Sequence, residues 1–172
     1  TLPLTLVPTA EQHTALLETM HAFNAAASSA AEVGYRDHVF TQASLHKRCY
    51  RALRDRFGLS AQMAVRAMGK AVETFRRDKR ICPVFRPDGA MTYDERLLGW
   101  KGPAHVSLLT LQGRAIVAMV YGEYQAGYLH RLKGQLEAEN VLLAEEIGRV
   151  QGFTEIVGTS ASLRQVLRQV GQ

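Results

Sequence analysis

Between Thr9 and Phe75 the apolar positions recur at intervals of three and four, whereas after Pro83 they run in short blocks separated by turn residues. The first pattern predicts amphipathic helices and the second predicts strands. Ahead of both, Leu2-Pro3-Leu4-Thr5-Leu6-Val7 alternates loosely and predicts a short strand that Pro8 stops. Thr9 is placed to cap a first helix, with Gln12 three residues on to complete a capping box. Leu16, Met20, Phe23 and Ala27 form its stripe, and the helix is expected to reach about Glu32 and end at Gly34. Thr41 can cap a second helix whose stripe is Leu45, Cys49, Leu53 and Phe57, and Gly58 stands where a left-handed C-cap belongs. Ser60 can cap a third, with Val65, Met68, Val72 and Phe75 inward and Gln62, Arg66, Lys70, Glu73 and Arg77 outward.

After Pro83, Pro87-Asp88-Gly89 is a turn signal. Val106–Leu111 and Ala115–Tyr121 flank Gln112-Gly113 as a hairpin, and both faces of these strands are largely apolar. That suits a small barrel or a sheet covered on both sides. Beyond Gly127, Leu129, Leu136, Leu143 and Val150 recur at strict sevens, with Asn140 beside the companion stripe. The stripe fits either a short coiled coil, hence a weak homodimer, or a helix packed on its own domain. Ser160 or Thr159 can cap a last helix carrying Leu163, Val166, Leu167 and Val170. The expected fold class is therefore α+β: an N-terminal strand, a three-helix basic region, a small antiparallel barrel-like β region and C-terminal helices. The corresponding segments are 1–8, 9–81, 82–128, 129–151 and 152–172.

Composition narrows the picture. In 172 residues, 47% hydrophobic and 22% charged residues describe a globular chain and not a disordered one. No run of 18 apolar residues predicts a membrane span. The opening Thr1-Leu2-Pro3-Leu4 lacks the basic start of a signal peptide, and two cysteines, Cys49 and Cys82, exclude a disulfide framework, so a cytoplasmic setting is expected. The net charge of +5 is unevenly spread. From Lys47 to Arg80 eleven bases face three acids, Asp55, Glu73 and Asp78, a net of +8. A polyanionic partner accounts for such a segment; a solvated helix face is the alternative.

Catalytic patterns are scarce. The six histidines show no paired zinc spacing, and Cys49 and Cys82 have no CxxC partner. Met68-Gly69-Lys70-Ala71 contains Gly-Lys but lacks the glycine and hydroxyl residues of a phosphate-binding loop. Asp94 and Glu95 are adjacent and are expected to point apart, on a solvated turn or strand edge. The expectation is a binding module, not an enzyme, with no cofactor and no metal. Its candidate nucleic-acid-binding residues are Lys47, Arg48, Arg51, Arg54, Arg66, Lys70, Arg76, Arg77, Lys79 and Arg80. Trp100 and Lys101, in the Gly-rich turn Leu98–Gly102, are added as a stacking residue and its neighbour, although core packing or loop anchoring is the more common role for such a tryptophan. Tyr50, Phe75, Phe85 and Tyr93 are also interleaved with bases, with Phe75 on the core stripe and Tyr50 compatible with it.

Two stretches carry resemblances. Arg54-Asp55-Arg56-Phe57-Gly58-Leu59-Ser60-Ala61-Gln62-Met63-Ala64-Val65-Arg66-Ala67 resembles a stretch of TnpB (OrfB-type) proteins, the transposon-encoded RNA-guided endonucleases. Leu4–Thr9 with Glu11-Gln12, Phe23–Ala27, Phe75–Lys79, Pro83–Pro87, Tyr93–Arg96, Val106–Leu111, Gly122–Gln125 and Lys133–Gln135 support it, in order, over residues 1 to about 135. The resemblance implies an N-terminal strand joined to a later wedge barrel, a helical recognition domain inserted between them, and contact with guide RNA and a guide–target duplex. The RuvC-like nuclease domain of that family has no counterpart here, so cleavage is not implied. In the tail, Glu137–Ile147, Phe153–Ser160 and Leu163–Val170 resemble the linker helix and AAA+ entry of sigma-54-dependent transcription activators, without their Walker motifs. The leading expectation is a non-catalytic nucleic-acid-binding module for RNA or DNA. The alternatives are a sigma-54 regulator fragment with a dimerising linker and no ATPase site, and a degraded gene relic.

Overall fold

In the computed structural model, which describes residues 3–129 and 131, the helical pattern becomes three long helices and the block pattern one sheet. Along the chain these are β1 (Thr5–Val7), α1 (Ala10–Arg36), α2 (Gln42–Phe57), α3 (Ala61–Arg77), β2 (Leu98–Trp100), β3 (His105–Thr110) and β4 (Gly113–Val120). The α+β class is as expected. The capping chemistry is too. Thr9 accepts from Gln12 N–H while the Gln12 side chain accepts from Thr9 N–H, Thr41 accepts from Ser44 N–H, Ser60 accepts from Met63 N–H, and Gly58 is left-handed at φ 65°.

α1 does not stop at Gly34. It runs to Arg36 and ends in paired bonds, from Val39 N–H to Gly34 O at 2.9 Å and from His38 N–H to Tyr35 O at 3.4 Å, with His38 at φ 52°. This is a Schellman closure in which a histidine takes the left-handed position usually given to glycine. Gly34 serves packing instead. A Cβ there would stand 2.9 Å from the Phe75 ring and 3.0 Å from Val39 O, so the glycine lets α1 approach α3. Alanines 26, 27, 30 and 31 of α1 and alanines 64, 67 and 71 of α3 continue that close contact, and Phe23, Leu45, Leu53, Met63, Met68 and Phe75 fill the rest of the core. Cys49 lies there as expected of its stripe, its thiol donating to Leu45 O and its pKa pushed up by burial.

The sheet order is β1-β4-β3-β2, all neighbours antiparallel. β1 pairs with β4 through Thr5↔Val120, Leu6↔Met119 and Val7↔Ala118, so all three helices are inserted between two strands of one sheet. The barrel-like closure expected of this region is absent among the described residues: the sheet is open, with β1 and β2 as its edges. Each edge strand is three residues long; β1 lies between Pro3 and Pro8, and Gly102 and Pro103 follow β2. Nor are both faces covered along β4, where Val117 and Met119 are buried but Ile116 and Val120 are exposed. The hairpin loop falls one residue earlier than expected, at Leu111-Gln112, and Gly113 opens β4 at φ 124°. α1 holds this tip: Thr19 Oγ1 accepts from Leu111 N–H at 3.0 Å, and Gln12 Nε2 donates to Ile116 O at 2.9 Å.

Leu4–Val120 forms one compact unit containing every element above, and Pro3 belongs with the residues from Tyr121 onward in a second. In that second unit residues 123–129 are helical, Ala126 N–H donates to Gly122 O and Gln125 Nε2 donates to Pro3 O. Of the heptad positions only Leu129 is among the described residues. Leu136, Leu143, Val150, the sigma-54-like tail and the segment 152–172 lie outside them. No helix among the described residues is long and apolar enough to cross a membrane.

Candidate nucleic-acid interface

α2 buries Leu45, Cys49 and Leu53 and turns Lys47, Arg48, Arg51, Arg54 and Arg56 to solvent. Lys47 and Arg51, one turn apart, have no ion-pair or hydrogen-bond partner among the described residues. Arg48 is partly committed: its Nη1 lies 3.2 Å from Asp37 Oδ2, a carboxylate that also takes Arg36 Nε at 2.9 Å. These arginines hold the Asp37 pKa below its ordinary value, chiefly through the Arg36 hydrogen bond. Arg54 donates from Nε to Leu59 O at 3.3 Å and lies over the Tyr50 ring at 5.8 Å. On the ring's other neighbour, His46 stacks with centroids 4.3 Å apart and planes 19° from parallel. Helical steps of four therefore assemble His46, Tyr50 and Arg54 into one line along the helix. In the sequence Tyr50 stands out only as one of several aromatics interleaved with bases, and His46 is not singled out; the 46–50–54 spacing is the signal that joins them.

α3 differs from expectation. The outer side predicted from Gln62 to Arg77 is solvated only toward its end, because the chain returns over Gln62, Arg66 and Lys70 after Pro83. Lys70 Nζ donates to Asn24 Oδ1 and to Ala90 O, each at 2.6 Å, and sits 4.9 Å from the Phe85 ring centroid. Asn24, fully buried on α1, donates through Nδ2 to Pro87 O at 2.9 Å and Gly89 O at 2.7 Å. Lys70 is thus an internal tether for the segment 85–90, and burial lowers its pKa. Arg66 donates from Nε to Asp94 Oδ2 at 2.6 Å, and Gln62 Nε2 donates to the same oxygen. Asp94 Oδ1 accepts from the Arg96 and Leu97 N–H groups at 3.0 and 3.1 Å. The Asp94 side chain is only 11% exposed, so the solvated turn expected there is a closed one, while Glu95 faces solvent. Burial alone would raise the Asp94 pKa; the donors from Arg66, Gln62 and the two amides outweigh it and bring it down to about 2.

The remaining candidates are dispersed. Arg76 and Arg77 are exposed in the last turn of α3, where cations also suit the helix dipole. Lys79 lies over Phe40 at 5.6 Å, and Arg80 closes a local turn on Asp78 through its own N–H and its guanidinium. Trp100 is 53% exposed but ends edge strand β2 opposite Val106, rather than sitting in a turn. Lys101 is exposed beside it, its N–H donating to His105 O. Trp100 and Lys101 stand at the end of β2 and the helical bases on α2 and α3. No group of three or more His, Cys, Asp or Glu side chains positioned for a metal ion occurs among the described residues.

No family model, no curated protein and no solved structure matches this chain.

Proposed function

We propose that the chain is a non-catalytic nucleic-acid-binding module that uses the outer face of α2 as its main phosphate-contacting surface, in the manner of the recognition and wedge half of TnpB-type proteins. The observation that carries this is the state of the α2 cations. Lys47 and Arg51 are exposed and without acid partners among the described residues, next to Arg54 and Arg56, on a helix whose one acid is Asp55. Cations kept free of internal partners can displace counterions from a polyanion, which is the main source of affinity for a phosphate backbone. Arg76 and Arg77 extend the same positive field from the end of α3.

Titration of the full chain into structured RNA or duplex at rising salt tests this. With about five phosphates neutralised, log K falls against log salt with a slope of about −4 to −5. The bound strand stays uncut with Mg²⁺ present. Absence of binding at low salt, or binding that salt does not weaken, contradicts the proposal.

A further inference from the structure

We infer that α2 also carries a site for an unpaired nucleobase, built on the His46 end of the His46–Tyr50–Arg54 stack. The inference rests on α2 being the nucleic-acid interface and names the part of the ligand that it would select.

The stack is anchored from below. Tyr50 is half-buried and packs against the helical core, so its ring is held in place. His46 lies nearly parallel to that ring, 4.3 Å away, and Arg54 stands 5.8 Å from the same centroid. His46 itself is exposed, and no second ring or hydrogen-bond partner among the described residues engages it. The line of flat groups therefore has an open, pre-oriented end at the imidazole. Lys47 and Arg51 occupy the neighbouring stripe, about 100° round the helix. A base stacked on His46 brings its own phosphates to that stripe, where two unpaired cations supply the complementary charge. Bases inside a duplex already have both faces covered, so an unpaired strand is the form of nucleic acid that can extend the ladder. Phosphate contacts alone, as from Lys47 and Arg51, would give no such preference.

The experiment compares two single strands of equal charge, oligo(dA) of about 12 nucleotides, within the usual site size of a small domain, and an abasic strand of the same length. Fluorescence anisotropy with the full chain is expected to show oligo(dA) bound about fivefold or more tighter, the usual effect of one stacked base. His46→Ala abolishes that preference and leaves abasic binding unchanged; His46→Phe, which keeps a flat ring, restores it. Equal affinity of the wild type for both strands overturns the inference, as does a preference that survives His46→Ala. Both of those results leave α2 as a phosphate-binding face. Failure to bind either strand at low salt overturns the inference together with the functional proposal beneath it.

Discussion

On α2, Lys47 and Arg51 extend into solvent from the side opposite Leu45 and Cys49; on α3, Arg66 and Lys70 reach into the segment that follows their own helix. The two helices are adjacent, similar in length and similarly basic, and a helical wheel assigns both a charged exterior. What separates them is the return path of the chain. Residues 85–97 lie along the first half of α3 and present Asp94 Oδ2 and Ala90 O to its cations, with Asn24 Oδ1 reaching Lys70 from α1. Nothing comparable is presented to Lys47 or Arg51 among the described residues. Charge on a helix face thus stays in solvent on one helix and closes the fold on the next, and the difference lies in acceptors far away in sequence.

Substitutions on the two sides should therefore differ in kind. Asn24→Ala is expected to cost most, about 2–4 kcal/mol, because Pro87 O, Gly89 O and the Lys70 ammonium all lose a partner. Chemical denaturation measures it directly, and a loss near zero would remove Asn24 from the closure of the segment 85–90. Next comes Asp94. Its folded pKa of about 2 lies below the ordinary 3.8, so its stabilisation is fully present above pH about 4 and is lost as pH falls through about 2. Its size is about 1–2 kcal/mol after allowance for the exposure of Arg66. Asp94→Asn should lose it at neutral pH and flatten the acid limb of the stability profile; an unchanged limb would remove Asp94 from the closure. The smallest effect belongs to α2. Lys47→Gln with Arg51→Gln is expected to shift stability by less than about 0.5 kcal/mol, as solvated surface changes do.

The local elements were legible because their signals are local. Thr9 with Gln12, Thr41, Gly58 and Ser60 each act within one helical turn, and each does what its position predicts. Gly34 was misjudged because its purpose is the Phe75 ring 41 positions on, while the helix end is made by His38 in a conformation that side chain rarely takes. The open sheet was hidden for a similar reason: apolar strands do not state which edge pairs with which. Of the site, the exposed α2 bases were legible from the wheel, and the capture of Lys70 and Arg66 was not. Asp94 looked solvated because the acid and its donors, Gln62 and Arg66, are about thirty positions apart. The His46–Tyr50 stack was readable in the spacing of four but carries no motif to draw attention to it.

The central proposal is that the outer face of α2, and not the Arg66–Lys70 part of α3, meets the phosphate backbone. Its most direct test is the slope of log K against log salt for an unpaired strand, measured for the wild-type chain and for the Lys47→Gln, Arg51→Gln variant. Two lost phosphate contacts should make the slope shallower by about 1.4, or about 0.7 for each. An unchanged slope would contradict the account and place the polyanion on another surface of the molecule.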